Sequence, residues 1–103
     1  FYNCIISGNL NSELAIDTIQ MSGVNLNFDF KNCLIRSETI FQDTFYQNTL
    51  WNDNPLFEDT AQGDFLFTSN STLNANGIVS TVTNDILGSP RNNPPDIGAI
   101  ELN

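Results

Sequence analysis

The chain has 103 residues, with 12 acidic side chains against 3 basic ones, a net charge of −9 and no histidine. That balance offers no basic patch for nucleic acid or for an anionic membrane surface, and it lacks the commonest general base and metal ligand at neutral pH. Hydrophobic residues at 40%, eight of them Phe, make a core possible, while polarity comes from 16 asparagines, which tolerate left-handed backbone and cap turns. Two cysteines, Cys4 and Cys33, fall short of the roughly four ligands of structural zinc. No apolar run approaches the roughly 20 residues of a membrane span.

Taken in chain order, the first element is a strand over Phe1-Tyr2-Asn3-Cys4-Ile5-Ile6-Ser7. A chain that opens on such a run, with no Met and no leader, is expected to continue upstream. Gly8-Asn9 and Asn11-Ser12 mark turns, and the connection to residue 24 is expected to bring Leu14, Ile16, Ile19, Met21 and Val24 to the core. Leu26, Phe28 and Phe30 alternate with polar residues, a second strand signal. Phe30-Lys31-Asn32-Cys33-Leu34-Ile35-Arg36 then repeats the opening pattern, Phe-x-Asn-Cys-aliphatic-Ile. Strict alternation would place Tyr2, Cys4 and Ile6 on one face and Phe1, Asn3 and Ile5 on the other. A strand motif recurring at this interval indicates a solenoid, whose units bury their apolar faces by stacking. Cys4 then lies below Cys33, either as stacked buried thiols or as a disulfide. Phe41, Phe45, Leu50 and Trp51 show no firm period. Asn52-Asp53-Asn54-Pro55 is a turn, Phe65–Thr68 a short strand, residues 78–82 a β-branched strand, residues 84–96 turn-rich, and Ile97 to Leu102 a last strand.

The second half resembles the end of bacterial surface β-helix proteins. Asn54-Pro55-Leu56-Phe57-Glu58-Asp59 with Gly63-Asp64-Phe65-Leu66-Phe67 is similar to a "(D/N)PLF-x-D … GD-aromatic-x-L" stretch. Asp85-Ile86-Leu87-Gly88-Ser89-Pro90-Arg91 followed by Pro95-Asp96-Ile97-Gly98-Ala99-Ile100-Glu101 is similar to a "D-x-x-G-x-PR … PDIGA-x-E" ending. The Asn-Cys motifs look like the rungs preceding that ending. The resemblance implies the pectate-lyase-like right-handed β-helix superfamily, with a choice-of-anchor Q type of C-terminal region. Ser71 to Gly77 departs from the family's "S-P-A-I-D-A-G", and Ile100 stands where an aromatic is usual.

Candidate chemistry is sparse. Glycoside cleavage needs two carboxylates about 5 to 10 Å apart; Asp59 with Asp64 and Asp53 with Glu58 are the available pairs, each in a turn-rich stretch where solvated carboxylates are ordinary. Lys31, Arg36 and Arg91 match no catalytic motif, and Arg91 is expected to bond carbonyls or a carboxylate in the cap. Asn52, Asp53 and Asn54 offer oxygens to calcium, without a twelve-residue calcium loop. Trp51 with Tyr46 suits either stacking on a sugar or packing over the helix end. Asn70-Ser71-Thr72 fits an N-glycosylation acceptor, and Asp17-Thr18-Ile19 and Asp59-Thr60-Ala61 look like a bacterial O-glycosylation pattern.

The expected fold is all-β: the last two or so rungs of a right-handed parallel β-helix over residues 1–53, and a C-terminal rung and capping region over 54–103. No catalytic, cofactor-binding or metal residue is assigned, calcium remaining a lesser alternative. The expected function is a non-catalytic end of a secreted or cell-surface solenoid that caps the coil and supports glycan binding or adhesion. The alternative is the terminal part of a polysaccharide lyase or glycoside hydrolase with its active site upstream. The expected partners are upstream rungs, polysaccharide, and a second copy through the N-terminal rung.

Overall fold

A computed structural model describes residues 1–19 and 21–102. Its strands are short: β1 (Ile5–Ile6), β2 (Phe30–Lys31), β3 (Leu34–Ile35), β4 (Tyr46–Gln47), β5 (Leu50–Trp51), β6 (Phe57–Asp59) and β7 (Asp64–Phe67). Among the described residues there is no α-helix, so the chain is all-β. β1, β3 and β5 form a parallel ladder in the order β1-β3-β5, and β2 pairs with β4, also parallel. Among the described residues no sheet closes on itself. The register sets Ile5 beside Leu34 beside Leu50, and Ile6 beside Ile35 beside Trp51. The two Asn-Cys copies are therefore stacked, and a third tier, Tyr46-Gln47-Asn48-Thr49-Leu50-Trp51, lies on them.

The second and third tiers are each two strands meeting at a corner, and in the first the bridge of Tyr2 to Lys31 precedes β1 in the same way. The corner residues Asn3, Asn32 and Asn48 have φ of 53°, 50° and 50°. This left-handed conformation costs most residues roughly 1–2 kcal/mol, and Asn less than most. The corner breaks strict alternation. Phe30, Cys33 and Ile35 enter one core cluster with Cys4, Ile6, Tyr46 and Trp51, while Leu34 turns to another with Ile5 and Leu50. Rings continue the stacking: Phe1 lies on Phe30 (centroids 4.7 Å apart), Phe30 on Tyr46 (5.3 Å) and Tyr46 on Phe41 (5.0 Å).

The connection after the first tier departs from expectation. Leu14 reaches the core, but Ile19 is 82% exposed, and Ile16, Met21 and Val24 are exposed too. The third tier follows the second after 16 residues, Phe30 pairing with Tyr46, whereas the first and second lie 29 apart. The longer excursion is tied down near its start, where Glu13 N donates to Arg36 O, and at its end, where Phe28 stacks on Phe45.

The second half packs on the Leu34 side of the ladder. β6 and β7 form an antiparallel hairpin through a 3-10 turn, Thr60–Gln62, capped by Asp59 and ended by Gly63 at φ 74°. Phe67, Leu73 and Ile97 close over Leu34. Pro55 is buried, Leu56, at φ 57°, is exposed, and Phe57 packs against the core. Neither 78–82 nor 97–102 forms a strand. The first run hangs on Asn3, whose side chain accepts from Ile78 N (2.7 Å) and donates to Ile78 O (2.8 Å). In the second, Gly98 takes φ 112°, and successive amides leave in different directions: Ile97 N to Leu73 O, Gly98 N to Asn3 O, Glu101 N to Asp85 Oδ2.

Candidate functional site

The charged residues of the ending come together. Asp85 Oδ1 accepts from Leu87 N and Ser89 N, and its Oδ2 accepts from Glu101 N at 3.0 Å. Asp96 Oδ1 accepts from Ala75 N and its Oδ2 from Leu102 N, each at 2.7 Å. Glu101 Oε1 accepts from Asn92 N, and its Oε2 from Asp96 N. Arg91 donates to Gly98 O (2.7 Å), Asp96 O and Glu101 Oε2 (3.3 Å). Asp85, Asp96 and Glu101 are buried. Such acids are tolerable because every carboxylate oxygen is bonded and one cation faces them. The Glu101 amide, then the Ser89 and Leu87 amides and the Arg91 charge, hold the Asp85 carboxyl below the usual carboxylate range against the opposing effect of burial. The expectation for Arg91 is met: its donors reach two carbonyls and a carboxylate. This knot replaces regular hydrogen-bonding ladders where the chain has none, and its acids are committed to backbone amides.

The other candidates are scattered. Asp59 and Asp64 face each other in the hairpin register, but Asp59 Oδ1 accepts from Ala61 N and Gln62 N, and Asp64 Oδ1 from Leu66 N. Glu58, just before Asp59 in the chain, is exposed. Tyr46 and Trp51, ring centroids 5.3 Å apart, pack against Phe41 and the Cys33 cluster, and burial, then Asp43, raises the Tyr46 phenol pKa. Cys4 and Cys33 are free thiols at equivalent positions, Cys4 half-buried and Cys33 buried, and burial pushes the Cys33 thiol up. Lys31 lies 3.1 Å from Asp29, whose hydrogen bond and charge raise its pKa. Asn70, Thr72, Thr18 and Thr60 are exposed.

One polar cleft does gather residues from all three tiers. About 490 Å³ in volume, it is lined by Ser7, Arg36 and Asn52, one from each tier, together with Glu38, Asp53 and Asn54. Asn52 is committed: its Oδ1 accepts from Ser37 N and its Nδ2 donates to Ser37 O, both at 2.9 Å. Asn54 Oδ1 accepts from Leu56 N. Two of the three oxygens considered for calcium thus already serve the backbone. Arg36 donates to Gly8 O at 3.2 Å, and Asn11 Nδ2 donates to Glu38 Oε1. What faces the cleft is mixed: one guanidinium, two carboxylates and several amides. Among the described residues no group of three or more Cys, Asp or Glu side chains is placed to hold a metal ion. No helix there is long and apolar enough to cross a membrane.

Sequence reasoning missed the third tier and the hook that the corner asparagines make. Asn3 binds Ile78, and Asn32 Nδ2 donates to Asn76 O at 2.8 Å, so the same positions that turn the tiers also fasten the second half to them. The signal for the third tier was present in Tyr46-x-Asn48, aromatic and Asn at the spacing of Phe30 and Asn32. Scanned against protein-family profiles, curated proteins and solved structures, the chain matches none of them.

Proposed function

We propose that the chain is a non-catalytic end module of a secreted or cell-surface protein, closing a right-handed parallel β-helix of the kind its ending resembles. The observation that carries this reading is the knot: Asp85, Arg91, Asp96 and Glu101 spend their side chains on backbone groups and on one another. Residues so committed to backbone groups serve to hold a terminus together. The parallel register of the tiers supports the solenoid part of the reading, because stacked equivalent positions are how solenoids build a core. Purified chain, screened against pectin, alginate, chondroitin and plant glycans with and without calcium, is expected to give no turnover. Turnover abolished by Asp59→Asn or Asp64→Asn would overturn the proposal.

A second reading, glycan contact, is favoured by the polar cleft alone, where Ser7, Arg36 and Asp53 present donors and acceptors along the stacking direction. Binding of a neutral oligosaccharide that is weakened by Arg36→Ala, with the fold intact, is its expected signature.

A further inference from the structure

Cys4 and Cys33 are the two cysteines of the chain, and the register sets them side by side. Ile5 pairs with Leu34 in parallel, and Leu34 N donates to Cys4 O at 2.9 Å, so the residues just before that pair stand opposite each other on adjacent tiers. Neighbouring strands lie about 4.8 Å apart, inside the range of roughly 4.4–6.8 Å over which a disulfide bridges two Cα atoms. The side chains leave the backbone alike. Cys4 Sγ donates to Tyr2 O at 3.3 Å and Cys33 Sγ to Lys31 O at 3.4 Å, each to the carbonyl two residues back. Equivalent side chains on equivalent backbone repeat at the strand spacing, so the sulfurs are neighbours without being bonded. Cys33 Sγ also lies 3.6 Å from Phe1 O, in the first tier, and so already leans across the gap. Closing the pair asks that Cys4 Sγ leave its bond to Tyr2 O, and a thiol is a weak donor. In the third tier Thr49 takes the equivalent position, so there is no third thiol with which to exchange.

We infer that Cys4 and Cys33 are a redox pair: a low-molecular-weight disulfide oxidises them to a disulfide that staples the first tier to the second. The exchange balances with oxidised glutathione as that oxidant. Cys4 and Cys33 each give up a sulfur-bound hydrogen, and the S–S bond of glutathione breaks. One S–S bond forms between Cys4 Sγ and Cys33 Sγ, and two molecules of reduced glutathione leave with the two protons and two electrons. The fold favours closure because it already holds the sulfurs together, whereas the unfolded chain must close the whole loop from Cys4 to Cys33. The bond spans the base of the excursion between the first two tiers, whose Ile19, Met21 and Val24 are exposed. Glu13 N and the stack of Phe28 on Phe45 hold that excursion in the thiol state. Burial raises the Cys33 thiol pKa and so lowers its thiolate fraction, which suits a staple closed once more than a dithiol that turns over. The inference goes beyond the end-module reading and holds whatever the cap does, since it rests on the register of β1 on β3 alone.

The test equilibrates the whole chain in glutathione buffers of graded oxidised-to-reduced ratio, folded and in concentrated urea, followed by acid quenching, alkylation and mass measurement. The closed pair is two hydrogens lighter than the dithiol and takes up no alkylating group. The folded chain is expected to reach half-closure in a buffer at least about tenfold more reducing than the unfolded chain needs, the advantage of two groups held in place. By linkage the closed chain should then unfold at a higher urea concentration than the dithiol chain. Cys4→Ser and Cys33→Ser should each yield only a mixed disulfide with glutathione, and the urea midpoint should no longer rise on oxidation. Equal half-closure ratios folded and unfolded would overturn the inference. So would a mixed disulfide or a cross-linked dimer as the main product of the folded chain, or a closed chain less stable than the dithiol. Exchange of the Leu34 amide then locates the failure. A protected amide without closure rejects the redox pair alone, whereas an unprotected one rejects the register beneath it.

Discussion

The two halves of the molecule are held by different means. Residues 1–52 are ordered by repetition: the same backbone corner, the same aliphatic stack and the same ring stack recur in three tiers. Residues 53–102 contain one hairpin and otherwise irregular backbone, and much of their polar main chain is answered by side chains, above all those of Asp85, Asp96 and Glu101. In the first half the loss of one side chain removes one layer among several. In the second, each acid joins segments distant in sequence and has no duplicate. Stability should therefore be spread evenly through the tiers and concentrated in the knot.

The sharpest way to break the comparison is Arg91→Ala. It leaves the buried Glu101 carboxylate without its cation and the Gly98 and Asp96 carbonyls without their donor. Removal of one partner from a buried ion pair costs about 3–5 kcal/mol, and chemical denaturation should show that loss. Adding Glu101→Gln should recover part of it, since the stranded charge is then gone.

Gly98→Ala comes next. The residue sits at φ 112°, and a Cβ there would lie 2.7 Å from Ile5 Cδ1. Held in a region that side chains rarely adopt, the variant should lose about 1–3 kcal/mol, read from the same denaturation curves. Here the knot meets the first tier, so the loss should appear in both halves together.

Asn32→Ala and Asn48→Ala sharpen the comparison within the tiers. Each puts alanine at a left-handed corner, an expected loss of about 1–2 kcal/mol. Asn32 should be the more costly because it also donates to Asn76 O. Glycine at either corner should restore most of the conformational part, and at Asn32 it should leave the lost hook unrepaired.

Much of the first half was legible in the sequence. The paired Asn-Cys motifs announced the stacking of Ile5 on Leu34 and of Cys4 at the level of Cys33 because tiers that repeat in space repeat in sequence. The third tier was hidden: Thr49 replaces Cys, Trp51 replaces Ile, and the spacing shrinks from 29 to 16 residues. The corner was hidden as well, since alternation assumes an extended chain and Asn3 leaves that conformation. In the second half the motif spacing marked the right residues without their geometry. Asp96 as an acceptor and Arg91 as a carbonyl donor were readable from their chemistry, but the partners lie across loops that no periodicity describes. Residues 78–82 are β-branched enough for a strand, yet Ile78 pairs with an asparagine side chain instead of a neighbouring backbone.

The smallest expected effect is a pH dependence. The Asp85 carboxyl is held below its ordinary value by the Glu101 amide first. A depressed folded-state pKa means stability that is fully present above the ordinary carboxylate pKa of about 4 and is lost as pH falls through the lower folded value. Acid denaturation should thus begin below about pH 4, and Asp85→Asn should flatten that limb while leaving the neutral-pH fold in place.

The stacking of three tiers in parallel is tested most directly by cross-strand proton contacts in solution. The register predicts that the amide proton of Leu34 lies against Cys4 and that of Leu50 against Cys33, since each donates to that residue's carbonyl, at 2.9 Å and 2.8 Å. Both contacts observed together, with Phe30 beside Tyr46, would establish the tiers. Contacts that pair these strands in antiparallel fashion, or that join Leu34 to some residue other than Cys4, would contradict the ladder and every reading built upon it.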